Sequence, residues 1–282
     1  MSFLAHLPQR GVISLTGATR VAFLNGLISN DVALATPGRA VWAALLTPQG
    51  RYLCDFFIYA EADRLLLEAP REALAGLLAR LKRFRLRAAV ELTDISSTLH
   101  VYAGWGGPAP QGANIEPTGA NIEPDGAITA PDPRLPAAGW RTLSATPLTP
   151  NATAADYAAH RIPLGLPDGP PDLEAEKTLL LEAGFDELHG VAWNKGCYIG
   201  QELTARTKYR GLVRRRLVPV HCSEPPPPGT PVLADGVEVG VIGSHAGHMA
   251  LAMLRVDALG KPLHAGAALL QPMPPSWLRL EP

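Results

Sequence analysis

The stretch that most constrains the fold is a pair of strand-like runs, residues 41–47 and 52–60, separated by Pro48-Gln49-Gly50. Both runs are rich in apolar and aromatic residues, and proline and glycine between two such runs indicate a hairpin. Asp55 lies in the middle of the second run, where aspartate is depleted. Burying a carboxylate without a partner is costly, so Asp55 needs a partner, water or a ligand. The alternative is an aspartate on a solvated strand edge.

Short strand-like and helix-like runs recur along the rest of the chain, bounded by glycine and proline. The predicted strands are residues 11–15, 64–69, 91–94, 98–103, 237–244 and 249–256. The predicted helices are a segment with the apolar face Val21, Leu24, Leu27 and Ile28, a segment after Pro70 with the stripe Leu74, Leu77, Leu78 and Leu81, and residues 154–161 and 201–207. The strand spacing near the C-terminus predicts a small β-barrel.

Three further segments have less regular patterns of residues. Residues 83–87 alternate between arginine and apolar residues, which predicts a strand with one basic face. Residues 174–181 are predicted to form an apolar helix or strand. Residues 104–139 are predicted to be loop, and they contain a duplicated Gly-Ala-Asn-Ile-Glu-Pro at 112–117 and 119–124. We interpret the duplication as a mobile surface insertion without a catalytic role, since two short copies do not make a solenoid.

Length and composition limit the class of protein. A chain of 282 residues suggests about two domains, and its formal net charge of −1 gives no general attraction to nucleic acid or membrane. Cys54, Cys197 and Cys222 are too few for a disulfide framework and fit a reducing compartment. The first residues lack the pattern of a signal peptide, and no apolar stretch is long enough to span a membrane. We therefore expect a cytoplasmic protein.

The stretch from Trp193 to Thr207 is the strongest candidate for chemistry. Gly196 and Gly200 bracket the pair Cys197-Tyr198, so the backbone there can turn sharply or approach a ligand closely. A cysteine near a cation and a helix N-terminus tends towards the reactive thiolate. The alternative interpretation is that Cys197 is a small buried hydrophobic residue.

Residues 195–202, Lys-Gly-Cys-Tyr-Ile-Gly-Gln-Glu, resemble the signature K-G-C-Y-x-G-Q-E of the YgfZ family. Members of that family bind folate and support assembly or repair of iron–sulfur clusters, and their mitochondrial relatives do the same. Residues 25–32, 50–57 and 176–183 also resemble family segments and occur in the expected order. The family is similar in fold to the aminomethyltransferase, or T-protein, of the glycine cleavage system.

The resemblance implies an α+β, three-lobed, aminomethyltransferase-like folate-binding fold with a small C-terminal β-barrel. We expect a discontinuous first α+β domain at residues 1–48 and 143–212 that binds folate. A second α+β domain is expected at 49–142, with the insertion at 104–139, and the barrel at 213–282.

The resemblance also implies a site. It assigns Cys197 as the functional thiol, and it places Asp55 where the aminomethyltransferases carry a catalytic aspartate beside the folate. Tetrahydrofolate is the implied cofactor. The implied contact residues are Asp55, Glu182, Tyr198, Lys195, Gln201 and Arg206. A carboxylate such as that of Asp55 can accept paired hydrogen bonds from an amino-pyrimidine edge. The glutamate tail of folate can be met by basic residues drawn from Arg83, Arg85, Arg87, Arg206, Lys208, Arg210 and Arg214–Arg216; the alternative is a solvated basic face.

The predicted function is that of a tetrahydrofolate-binding accessory protein for iron–sulfur client enzymes, including tRNA-modifying ones, rather than an enzyme in its own right. An aminomethyl or methyl transferase is the alternative, although Glu176 and Leu180 stand where the transferases have arginine. A cysteine-nucleophile enzyme would need a base, for which His160 and His189 are nearest in sequence. His245 and His248 are a weak metal-ligand pair, so we expect no metal site. The implied partners are folate and iron–sulfur client or assembly proteins, with no direct nucleic-acid or membrane partner.

Overall fold

The computed structural model of the chain describes residues 1–107, 126–211 and 213–280. The chain forms two compact units, and each is assembled from separate pieces of sequence. The first unit comprises Met1–Leu45, Cys54–Ala154 and His189–Ile199, and the second comprises Leu46–Leu53, Ala155–Leu188 and Gly200–Pro282.

The described residues form fifteen strands and four α-helices. The strands are β1 (Phe3–His6), β2 (Arg10–Thr16), β3 (Val41–Leu46), β4 (Tyr52–Ala60), β5 (Arg64–Pro70), β6 (Glu91–Asp94), β7 (His100–Trp105), β8 (Ile128–Pro131), β9 (Trp140–Ser144), β10 (Arg215–Cys222), β11 (Pro231–Ala234), β12 (Val237–Ala246), β13 (Met249–Arg255), β14 (Leu263–Ala265) and β15 (Ala268–Pro272). The helices are α1 (Arg20–Asn25), α2 (Arg71–Arg85), α3 (Ala154–Arg161) and α4 (Gln201–Tyr209), with 3-10 turns at Val32–Leu34, Pro136–Ala138 and Val256–Ala258. None of these described helices has the length and apolar character needed to cross a membrane.

A five-stranded sheet, in the order β3-β4-β5-β2-β6, forms the core of the first unit. β2 and β5 are antiparallel, with Ile13 opposite Leu67, and both side chains are fully buried. Helix α2 packs against β2 and β6. Its buried residues, Leu74, Leu77 and Leu81, recur at intervals of three and four, which is the spacing that places side chains on one helical face. The hairpin of β3 and β4 that the sequence predicted is confirmed.

The strand predicted at residues 83–87 is wrong, because α2 continues to Arg85. Lys82, Arg83 and Arg85 lie in the last turn, where positive charge interacts favourably with the helix C-terminus. Phe84 is 41% exposed, so the alternation does not reflect a buried face. The helix ends at Leu86, which has a φ of +41°.

A second sheet in the first unit has the order β1-β7-β9-β8. The prediction that residues 104–139 are loop is wrong in part, because Ile128–Pro131 form β8 and Pro136–Ala138 form a 3-10 turn. Proline within a run argues against a strand except at a sheet edge, and β8, which ends in Pro131, lies at the edge of this sheet. The duplicated hexapeptides at 112–117 and 119–124 lie outside the described residues.

Residues 174–181 form turns rather than the predicted helix or strand. Glu176 has a φ of +65°, and a left-handed residue in mid-segment interrupts both regular structures. Tyr52 holds the segment in place within the second unit. Its amide donates to the carbonyl of Thr178 at 2.9 Å, and its carbonyl accepts from the amide of Glu176 at 2.7 Å.

The second unit contains a closed six-stranded barrel, in the order β10-β13-β12-β11-β14-β15. Alternate residues of each strand face its interior, as a barrel requires. Val218, Val220 and Cys222 of β10 and Ala250 and Ala252 of β13 are completely buried there. The predicted α+β class with a small C-terminal barrel is confirmed.

Candidate functional site

Residues 189–199, which we call the thiol loop, are hydrogen-bonded within the first unit to residues 25–31, which we call the receiving segment. Ser29 donates from Oγ to the carbonyl of Gly190 at 2.7 Å, and its carbonyl accepts from the amide of Ala192 at 3.0 Å. Because Ser29 is completely buried, these bonds satisfy polar groups that water does not reach. The thiol loop and the receiving segment are thus joined directly.

Asn30 extends this connection to strand β3. Its Nδ2 donates to the carbonyls of His189 and Trp42, both at 2.7 Å, and its Oδ1 accepts from the amide of Asp31 at 2.9 Å. A buried side-chain amide with both its donors and its acceptor in use is strongly fixed. Asn30 therefore links the thiol loop to strand β3, and Ser29 makes a second link because its Oγ also accepts from the amide of Ala44 at 2.9 Å.

Lys195 reaches from the thiol loop to three backbone carbonyls of the receiving segment. Its Nζ lies 2.6 Å from the carbonyl oxygen of Asn25 and 2.8 Å from those of Ile28 and Asn30. The ammonium also lies 5.0 Å from the centroid of the Tyr198 ring, within the range of a cation–π contact. Burial lowers the pKa of Lys195 to about 8, while Asp31 acts in the opposite direction.

Cys197 lies between these anchored neighbours and is the exposed cysteine of the three; Cys54 and Cys222 are buried. Burial raises the pKa of the Cys54 thiol far above its usual range, and the neighbouring Asp55 adds to the effect. Burial also raises the pKa of the Cys222 thiol. Since the thiolate is the nucleophile and the metal ligand, both buried cysteines are poorly suited to chemistry at neutral pH.

Asp55 is on β4 and is 1% exposed. Its Oδ2 accepts a hydrogen bond from the indole Nε1 of Trp42 at 2.9 Å. The carbonyl of the same tryptophan accepts from Asn30, so Trp42 contacts both the carboxylate and the receiving segment. The expectation that a mid-strand aspartate must have a partner is confirmed, and the alternative of a solvated edge is wrong.

The first unit also contains a buried ionic cluster that the sequence reasoning missed. Its members are Arg10, Tyr59, Glu68, Asp132, Arg134 and Arg141. Glu68 accepts from Nε of Arg10 at 2.9 Å, from Nη1 of Arg141 at 2.5 Å and from the hydroxyl of Tyr59 at 2.7 Å. Asp132 accepts from Nη2 of Arg134 at 2.7 Å and from Nε of Arg141 at 3.3 Å. A signal was present, because Glu68 interrupts an apolar strand in the same way as Asp55.

The three guanidinium groups of this cluster lie over the aromatic ring of Phe57. Their central carbons lie 5.7 Å, 5.0 Å and 3.8 Å from its ring centroid for Arg10, Arg134 and Arg141 respectively. Phe57 is two residues after Asp55 on β4, so the two side chains leave the strand on the same face. The candidate carboxylate therefore lies on the strand that also contributes Phe57 and Tyr59 to the contacts of the ionic cluster.

The other candidate contact residues lie in the second unit. Glu182 is partly buried, and burial raises its pKa, although Arg51, Arg215 and Arg216 act in the opposite direction. Its Oε2 is 3.5 Å from the amide of Leu179, a long hydrogen bond. Gln201 and Arg206 are on α4, the first at the start of the helix and partly buried, the second exposed.

Two of the candidate cations are committed to ion pairs in the second unit. Nζ of Lys208 lies 3.1 Å from Asp186, and Nη2 of Arg216 lies 2.7 Å from Glu187. Within residues 1–107, 126–211 and 213–280, no three histidine, cysteine or acidic side chains are placed to hold a metal ion. His248 pairs through Nδ1 with the carbonyl of Cys222 at 3.0 Å.

Comparison with known proteins extends these findings. A family model described as the CAF17 C-terminal beta-barrel domain matches residues 214–280. The aminomethyltransferase T of the glycine cleavage system from Bartonella henselae matches 98% of this chain and 86% of its own, with a TM-score of 0.76 and 15% sequence identity. At that identity the match shows the fold alone, and the predicted aminomethyltransferase-like fold is confirmed.

Curated relatives are named as iron–sulfur cluster assembly factors. The mitochondrial IBA57 homolog of Mycosarcoma maydis is 39% identical over 249 residues, which cover 80% of this chain and 59% of the relative. The mitochondrial IBA57 of Mus musculus is 34% identical over 286 residues, which cover 92% of this chain and 79% of the relative. The expectation of a cytoplasmic protein is wrong by this comparison, because both relatives are mitochondrial. With most of its length aligned to most of the mouse protein, the chain belongs to the IBA57 family of iron–sulfur cluster assembly factors.

Proposed function

We propose that this chain is an accessory factor for the assembly or repair of iron–sulfur clusters in client enzymes, with Cys197 as its functional thiol. The observation that carries the proposal is the exposure of Cys197 on a loop whose flanking residues, Lys195 and Tyr198, are fixed. An accessible thiol in a fixed position can meet a partner protein, a metal or a sulfur species. The names of the relatives support the same class of function.

The test is rescue of cluster-enzyme activity in cells that lack their own member of the family. Cys197→Ser should abolish the rescue, because serine keeps the size of the side chain and removes the thiolate. Cys222→Ala is the matched control, since it removes a thiol from the barrel interior and should rescue like the wild type. Full rescue by Cys197→Ser would remove the basis of the proposal.

We propose further that the chain binds tetrahydrofolate, with the carboxylate of Asp55 facing the amino-pyrimidine edge of the pterin. The chemistry fits, because a buried carboxylate already held by an indole N–H is a fixed acceptor for N–H donors. Glu182, Tyr198, Gln201 and Arg206 are the other proposed contact residues. Lys195 is not among them, because all three of its N–H groups already donate to backbone carbonyls.

Calorimetric titration with tetrahydrofolate tests the folate proposal. Asp55→Asn keeps the shape of the side chain but turns one acceptor oxygen into a donor, so affinity should fall by about 10- to 100-fold, the value of a hydrogen bond to a charged group. Asp94→Asn, on an exposed aspartate of β6, is the control and should bind normally. Equal affinity in both variants would disprove the role of Asp55.

Tetrahydrofolate-dependent turnover separates this proposal from the alternative of an aminomethyl or methyl transferase. The alternative predicts product formation from a one-carbon donor and no effect of Cys197→Ser on it. We propose instead that turnover is absent and that the clients include tRNA-modifying iron–sulfur enzymes. Measurement of cluster-dependent modified nucleosides in the same rescue strains tests that client class.

A further inference from the structure

The ammonium group of Lys195 has a complete set of partners. An ammonium carries three N–H donors, and three backbone carbonyls lie within 2.6–2.8 Å of Nζ. All three carbonyls belong to the receiving segment, while the lysine belongs to the thiol loop. With each donor in use, the group has no N–H left over for a ligand. The ammonium of Lys195 therefore links the thiol loop to the receiving segment.

The position of the first carbonyl explains why a cation is bound there. Asn25 is the last residue of α1, and the last carbonyls of a helix have no partner within the helix. Partial negative charge collects at such an end, so a cation near it is favoured. The carbonyls of Ile28 and Asn30 add two more oxygens on the turn that follows. Together the three oxygens form a carbonyl cage that recognises a primary ammonium.

The cage lies two residues from Cys197. Gly196, between the two residues, has no heavy atom within 4 Å of the place where a Cβ would lie, so no side-chain packing fixes the chain at that position. On the other side of the thiol, the ring of Tyr198 is buried and lies against the same ammonium. Fixing a loop residue in one conformation costs conformational entropy, and this exposed stretch needs contacts that offset that cost. The caged ammonium supplies them.

We propose that Lys195 is the positioning residue of Cys197: its ammonium, held in the carbonyl cage of Asn25, Ile28 and Asn30, fixes the exposed thiol in place. The proposal rests on the proposed function only in taking the thiol as the group that acts. Lys195 acts through the loop and does not itself touch a substrate.

A spin label on Cys197 tests the proposal directly. A thiosulfonate nitroxide should attach to this exposed cysteine in the native protein, because Cys54 and Cys222 are buried. In Lys195→Met the label should become more mobile, with a rotational correlation time about threefold shorter, as expected when a restrained loop gains ps–ns freedom. Lys261→Met is the control, since Lys261 is half exposed and pairs with Asp235 on the surface of the barrel unit. Unchanged mobility in Lys195→Met would overturn the proposal.

A conservative variant separates positioning from a general loss of structure. Lys195→Arg keeps a positive charge and N–H donors on a side chain that is still tethered to the thiol loop. The label should therefore stay more restrained in Lys195→Arg than in Lys195→Met, while both variants should give the circular dichroism spectrum of the wild type. Equal mobility of the label in the two variants would contradict a cage that acts through hydrogen bonds.

The cellular assay then connects positioning to function. Lys195→Met should lose rescue of cluster-enzyme activity, while its tetrahydrofolate affinity should stay within about twofold of the wild type, a difference well below 1 kcal/mol. Should Cys197→Ser rescue fully, the proposed function fails, but the label still decides whether Lys195 fixes the loop. Should Lys195→Met free the label and still rescue fully, positioning has no functional role and the inference fails alone.

Discussion

The indole Nε1 of Trp42 donates a 2.9 Å hydrogen bond to Oδ2 of Asp55, and both residues are almost completely buried. Trp42→Phe removes this donor and leaves the carboxylate with one partner fewer. Since a hydrogen bond to a charged group contributes about 1.5–3 kcal/mol, the free energy of unfolding should fall by about 2 kcal/mol. Urea denaturation measures this change in the free energy of unfolding.

Trp277→Phe is the matched control for that experiment. The indole of Trp277 donates to a neutral backbone carbonyl, that of Leu164, at 2.9 Å. Its loss should cost only about 1 kcal/mol, the value of a neutral hydrogen bond. An equal loss in the two variants would mean that the charge on Asp55 contributes nothing to the bond.

The buried ionic cluster should make Arg141 one of the least replaceable residues of the first unit. Arg141→Met leaves Glu68 and Asp132 with fewer cations in a site that water does not reach. Breaking a buried ion pair from one side typically costs about 3–5 kcal/mol. Arg255→Met, which breaks the exposed pair with Asp257, should lower the free energy of unfolding far less, because water screens that pair. Similar denaturation midpoints for the two variants would show that the cluster is not a source of stability.

Acid should destabilise the protein through Asp132. Burial on its own raises the pKa of this carboxyl, but the Arg134 and Arg141 guanidinium groups outweigh that effect and hold the pKa below its ordinary value. A carboxyl with a lowered folded-state pKa contributes stability above its unfolded pKa, and this contribution is lost as the pH falls through the folded value. The free energy of unfolding should therefore decrease below about pH 4. In Asp132→Asn the decrease should be shallower; an unchanged slope would exclude this carboxyl as its source.

Gly200 should tolerate alanine much less well than an exposed glycine with similar backbone angles. Gly200 has a φ of +81°, and a Cβ there would lie 2.6 Å from the carbonyl oxygen of Thr47 and 2.9 Å from the Cα of Gly50. Gly236 has a φ of +76° with no atom within 4 Å of an added Cβ. Gly236→Ala should thus cost about 1–2 kcal/mol for the left-handed backbone alone. Gly200→Ala should cost about 3 kcal/mol or more, because overpacking adds to that strain. Thermal unfolding of the two variants gives the difference between their losses of stability. Equal losses would show that the close approach of Gly200 to Thr47 and Gly50 adds no cost to the substitution.

The three cysteines should differ sharply towards a thiol reagent. One thiol per native chain should react quickly, that of Cys197, because Cys54 and Cys222 are buried and their pKa values are raised. All three should react after unfolding in guanidinium. Mass spectrometry of the alkylated protein identifies the sites, and Cys197→Ser should show no fast-reacting thiol. Fast modification of Cys222 would mean that the barrel opens readily.

Periodic segments were predictable from the sequence, because their pattern is local. The stripe of α2 and the hairpin of β3 and β4 follow from apolar spacing and from one proline–glycine turn. Residues 83–87 were misassigned because a helix with a basic last turn can also alternate over five residues. The strand β8 was not predicted because it ends in proline, and the turns at 174–181 were not predicted because they carry no period.

The candidate site was predictable only in part. The signature identified Cys197, and mid-strand placement identified Asp55 as a residue that needs a partner. The carbonyl cage of Lys195 gave no signal in the sequence, because its oxygens come from backbone 165–170 residues away and any residue type supplies a carbonyl. The partner of Asp55 was not identified either, since a tryptophan on an apolar strand normally indicates core packing.

The order in which the first unit is made has a consequence for Cys197. Residues 1–45 and 54–154 leave the ribosome before the thiol loop, yet Ser29 and Asn30 have bonding partners among residues 189–192. A nascent chain that ends before residue 189 therefore keeps these polar groups hydrated and its first unit unfinished. Cys197 thus follows directly in the chain after the residues that let Ser29 and Asn30 complete their hydrogen bonds, so the first unit can close only as this cysteine is being made.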